Sequence, residues 1–80
     1  MTGEQVRAAR ALAGMTAQGL ADASGVSYPT VQRIDATKGP ISARHDTVQR
    51  IVAALEAQGV QFLEGGQVAA GPGVAMKGGE

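Results

Sequence analysis

Eighty residues make one small domain, able to bury only about 60% of the surface its unfolded chain exposes. There is no cysteine, and seven basic side chains balance seven acidic ones, which excludes disulfides and thiolate metal sites as staples and removes global charge as a sign of a nucleic-acid partner. No run approaches the ~20 apolar residues of a membrane span, and the N-terminus is neither basic nor followed by a hydrophobic signal core, so a cytoplasmic protein without a membrane partner is expected.

Apolar residues make up 44% of the chain, but many are alanine and the aromatics are only Tyr28 and Phe62. The predicted core is therefore thin, and oligomerisation is the remaining way to stabilise it. Val6, Ala9, Leu12 and Ala13 recur at three- and four-residue spacing and Gly14 follows them, which predicts a first helix with those four on its inner face. Thr16 can cap a second, short helix that carries Leu20, Ala21 and Ser24 inward and stops at Gly25. Ser27 can cap a third over residues 28–36, with Pro29 in the first turn, where a missing N–H costs least.

Gly39 and Pro40 then interrupt the chain, and Ser42 is expected to open a longer fourth helix that turns Val48, Ile51, Val52 and Leu55 to one face and ends at Gly59. Beyond it the pattern changes. VQFLE and VAMK read as short strands about the glycine-rich GGQVAAGPG, so either a β-hairpin with Val60 and Phe62 facing Val74 and Met76, or a flexible, extended tail, is expected. The fold class is mainly α: four helices followed by a short C-terminal β-hairpin or an extended tail.

Helices two and three are separated by GVS alone. A glycine there permits a left-handed turn, Ala21 lets the helices cross closely, and Val26, Val31 and Ile34 pin the second of them to the body, so that its other face points outward. The stretch GMTAQGLADASGVSYPTVQRID resembles the helix-turn-helix of the phage Cro/repressor family, also called XRE-like, with Leu20, Ala21, Gly25, Val26, Val31 and Ile34 at the core positions of the pattern. The likeness extends upstream through VRAARALAGMT and downstream through DTVQRIVAAL, roughly residues 4 to 58.

The resemblance implies a helix-turn-helix DNA-binding domain over residues 1–59, with residues 60–80 as a possible dimerisation element. It places the second helix of the pair in the major groove of double-stranded DNA while the first crosses the backbone. Position by position, the base contacts would come from Tyr28, Pro29, Gln32 and Arg33. Arg33 can offer two donors to guanine, and Gln32 can bridge adenine. Tyr28 can stack, touch a thymine methyl or donate to phosphate, and Pro29 can offer only apolar contact or stiffen the first turn.

Phosphate contacts are expected from Arg7, Ala17, Gln18, Ser27, Thr30, Lys38, Arg44 and His45. The family commonly has glutamine at the first position of the positioning helix; here Ala17 stands there, with Gln18 one step later. Arg10 and Asp35 match positions that form a structural ion pair in similar proteins. Of the seven basic residues, Arg33, Lys38, Arg44 and Arg50 lie in the stretch that reaches from the third helix into the fourth.

One reading helix covers few base pairs and a single module buries about 600–1,000 Å², so a homodimer with two reading helices about 34 Å apart is expected. Leu55, Val60, Phe62, Leu63, Val74 and Met76 are the candidate interface. His45 has no cysteine or carboxylate cluster at ligand spacing, Asp46 would not share its helical face, and the glycines of residues 65–73 lack the context of a phosphate loop. No cofactor, metal, small-molecule ligand or enzymatic activity is expected. The expected function is a sequence-specific transcriptional regulator, a repressor. The rival is an antitoxin-like or adaptor module that keeps the fold and uses its tail to hold a protein, favoured by zero net charge and the missing first glutamine.

Overall fold

A computed structural model describes residues 1–63 and 73–76. Four helices, α1 (Gly3–Ala13), α2 (Ala17–Ser24), α3 (Tyr28–Ala36) and α4 (His45–Glu56), precede two strands, β1 (Val60–Leu63) and β2 (Gly73–Met76), which form an antiparallel sheet. The protein is mainly helical. The strands pair Val60 with Met76 and Phe62 with Val74, so the tail returns as a hairpin. The glycine-rich connection, residues 64–72, and residues 77–80 lie outside the described residues.

Local chemistry accounts for the helix ends. The Thr2 hydroxyl accepts the Gln5 N–H at 3.1 Å and the Gln5 carboxamide accepts the Thr2 N–H at 2.9 Å, a reciprocal cap that satisfies two orphan donors of α1. The Thr16 hydroxyl accepts the Gly19 N–H at 2.9 Å and starts α2. Gly25 ends α2 at φ 74°, a left-handed conformation that costs a residue with a β-carbon.

Each element contributes a few side chains to one core: Val6 and Ala9 from α1, Leu20 and Ala21 from α2, Val26 from the turn, Val31 and Ile34 from α3, Ile51 and Leu55 from α4, and Val60 from β1. Full burial of a valine, leucine or isoleucine contributes about 1.5–3 kcal/mol. The hairpin packs on α1, and Val60 joins the same core as the helices.

Three sequence expectations need correction. Leu12 is 46% exposed; Val6, Ala9 and Ala13 form the inner stripe of α1, and Leu12 lies on its shoulder. Ser42 does not open α4. The helix starts at His45 without a side-chain cap, and residues 41–44 precede it as a non-helical segment in which Ile41 and Ala43 are half-buried against the core while Ser42 and Arg44 are exposed. A helix begun at Ser42 would forfeit that alternation. Leu55 and Val60, expected at a dimer interface, are 0% and 1% exposed within the single chain, so they are core residues and have no surface to offer a partner.

Candidate nucleic-acid interface

The α2–turn–α3 pair exposes Gln18, Asp22, Ser27, Gln32 and Arg33. Ser27 starts α3: its Oγ accepts the Thr30 N–H at 3.4 Å and its own O–H donates to Thr30 Oγ1 at 2.9 Å. Pro29 stands in the first turn, where no intrahelical N–H bond is lost. Val31 and Ile34 are buried, whereas Tyr28, Pro29, Gln32 and Arg33 are exposed. The Gln32 amide donates to the Tyr28 hydroxyl at 3.0 Å, one turn away. Among the described residues no hydrogen bond or ion pair engages the Arg33 guanidinium. At the end of α3 the Thr37 hydroxyl donates to the Arg33 carbonyl at 2.7 Å.

Two arginines of α1 hold the far end of α3. Arg10 meets Asp35 through Nε to Oδ1 at 3.1 Å and Nη2 to Oδ2 at 3.2 Å, and gives a third donor, Nη1, to the Met15 carbonyl at 3.1 Å. Both partners are half-buried, so this forked pair is screened less than an exposed one. Arg7 donates to the Asp35 carbonyl and, at 3.5 Å, to the Thr37 carbonyl. That placement gives Arg7 a tie to the end of α3, where a cation on the last carbonyls of a helix is favourable.

The loop after α3 is stitched to the N-terminal segment. Gly3 donates to the Gly39 carbonyl at 3.0 Å, Ile41 to the Met1 carbonyl at 3.2 Å, and Gly39 to Glu4 Oε1 at 2.9 Å. The Gly39 N–H, and then Glu4's own backbone N–H, hold the Glu4 carboxyl below its ordinary pKa, with smaller help from the charges of Arg7 and Lys38. Gly3 makes this approach possible, since a β-carbon there would lie 2.0 Å from the Thr37 carbonyl oxygen. Lys38 stands exposed on this anchored loop.

The remaining expected contacts divide. Ala17 is half-buried and packs on the core, so it can meet a phosphate through its backbone alone. The amides of Ala17 and Gln18 precede the first intrahelical bond of α2, from the Leu20 N–H to the Thr16 carbonyl at 2.9 Å. The Gln18 side chain is turned along the helix to donate to Asp22 Oδ1 at 3.0 Å. Arg44 meets Asp46 at 3.4 Å with both side chains well exposed, a pair worth little. His45 is exposed at the start of α4. Phe62 and Val74 are half-buried, Met76 is 49% exposed, and the Leu63 side chain lies outside the described residues.

Sequence reasoning overlooked two residues. Arg50 brings Nη1 to 4.0 Å from where a β-carbon on Gly25 would sit, so its guanidinium stands at the α2–α3 turn. Its place in the basic stretch from Arg33 was visible, but the packing of α4 on α2 that brings it to the turn was not. Glu4 had only its place in the first turn of α1 as a signal.

Among the described residues there is no pocket and no group of side chains able to hold a metal ion, and no helix is long and apolar enough to cross a membrane. No protein-family model matches the chain, and no curated protein matches it.

Proposed function

We propose that the protein is a helix-turn-helix DNA-binding regulator of the phage-repressor type that lays the outer face of α3 in the major groove. One observation carries this reading: α3 is held by its back, through Val31 and Ile34, while Tyr28, Gln32 and Arg33, whose guanidinium is unpaired among the described residues, lie on the opposite, exposed side. An enzyme would need a cleft with converging groups, and a polar helix face with a free guanidinium suits the edges of bases instead. Lys38, Arg50 and the first amides of α2 flank that face and supply phosphate contacts, which fix register without reading sequence.

A small single module suits dimeric binding. The exposed apolar side chains Leu12 and Met76, on α1 and on the hairpin that packs against it, are the surface proposed for a homodimer contact, with half-buried Phe62 and Val74 beside it. Such a dimer acts as a repressor when its site overlaps a promoter.

The test is selection of bound sequences from random duplexes. A two-fold symmetric site with half-sites one turn apart is the expected result. No enrichment, together with binding that salt does not weaken, sinks the reading. The second reading, an adaptor or antitoxin-like module, draws on zero net charge and on the Gln18 side chain being already bonded to Asp22.

A further inference from the structure

The outer face of α3 carries a side-chain hydrogen bond that bears on which base it reads. A free glutamine has many rotamers and an amide that presents oxygen or nitrogen with equal ease. Here the Gln32 Nε2 donates to the Tyr28 hydroxyl at 3.0 Å. The bond ties the amide to the Tyr28 hydroxyl and removes much of the freedom that binding would otherwise have to remove. It uses one of the two Nε2 protons. The second proton and the Oε1 lone pairs remain, and these are the donor and the acceptor that adenine requires at N7 and at its N6 amino group.

We propose that Tyr28 is a positioning residue for Gln32, and that the pair selects adenine in the major groove. The inference rests on the DNA-binding reading above and goes further by assigning the base and the manner of its selection. Tyr28 then contributes to specificity through Gln32 and not through a base of its own. Tyr28 is 38% exposed. Arg33, next to Gln32 in the chain, has no hydrogen bond or ion pair on its guanidinium among the described residues and takes a guanine at a separate position.

Site selection and measured affinities for the whole chain, its Tyr28→Phe, Gln32→Ala and Gln32→Glu variants, and the double variant Tyr28→Phe/Gln32→Ala test this. The wild type is expected to prefer adenine at one position of each half-site by roughly ten- to a hundredfold. Gln32→Ala loses that preference, and Gln32→Glu, an acceptor without the amide donors, shifts it toward cytosine. Tyr28→Phe weakens it by roughly three- to tenfold, the ordering cost of one flexible side chain, and leaves the position read by Arg33 unchanged. In the Gln32→Ala background, Tyr28→Phe changes nothing further.

Tyr28→Phe removes only an exposed hydroxyl, and a thermal melt of each variant confirms the fold. A uniform loss of affinity for all sequences in Tyr28→Phe makes the hydroxyl a phosphate contact and overturns the proposal. So does a change at a position that Gln32→Ala leaves untouched, or no change at all. A wild type that enriches no base at any position refutes the DNA-binding reading itself, and is distinguishable because it precedes any comparison of variants.

Discussion

At Gly3 the first turn of α1 meets the last turn of α3 with no room for a methyl group. Gly3→Ala must push apart backbone atoms that a β-carbon would approach to 2.0 Å. The expected cost is about 1–3 kcal/mol, read in a thermal melt as a drop of ~4–8 °C per kcal/mol. The neighbouring Glu4 gives a pH signature. Its carboxylate accepts the Gly39 N–H and its pKa is lowered on folding, so its contribution is fully present above the unfolded pKa and is lost as the pH falls through the lower, folded one. Glu4→Gln is expected to melt below the wild type at neutral pH, by a small amount because the carboxylate is exposed, and the gap should close through the acid range. A gap of constant size from neutral to strongly acid pH would show that the charge of Glu4 does nothing for the loop.

At the scale of elements, α3 divides its residues between two tasks. Removing Arg33 takes a guanidinium from the outer face, and removing Lys38 takes an exposed ammonium group from the anchored loop. Arg33→Ala is expected to lower affinity for the selected site by about 1–3 kcal/mol and to relax one base position. Lys38→Ala should weaken binding alike on all sequences and reduce the slope of log affinity against log salt by about one. Titrations at several salt concentrations separate the two. The element boundaries show what a sequence makes legible. Thr16, Gly25 and Ser27 announce α2 and α3 because caps and left-handed turns act within a few residues, and the observed bounds of α3 match that reading. The start of α4 was not legible in the same way. Ser42 has the chemistry of a cap, but the chain gains more by packing Ile41 and Ala43 on the core from a non-helical segment, and that preference depends on a core assembled from elsewhere. The same limit hid the tie from Arg7 to the end of α3, which depends on how two helices pack, and not on spacing within either.

For the whole molecule, the thin core decides which apolar residues are spare. Leu55 and Val60 are spent inside the chain, and Leu55→Ala is expected to cost about 2–5 kcal/mol, a large part of the stability of a small domain. Met76 is 49% exposed. Met76→Lys is expected to weaken self-association at least tenfold in sedimentation equilibrium while leaving the melting temperature of dilute protein within a few degrees. An unchanged association constant would move the dimer contact off this face. The strands of the tail were legible from their apolar residues, but which of those residues are core and which are surface depends on the pairing of β1 with β2 and their docking on α1.

The stitch between the N-terminal segment and the loop that follows α3 has a consequence for how the protein is built. Glu4 and Gly39 are separated by 35 positions, so the opening turn of the molecule is made first and fastened late. A growing polypeptide halted short of Gly39 already offers Asp35 to Arg7 and Arg10, but it lacks the N–H and the carbonyl that fasten Glu4 and Gly3. The first turn of α1 is therefore closed only when the segment beyond the third helix has been synthesised.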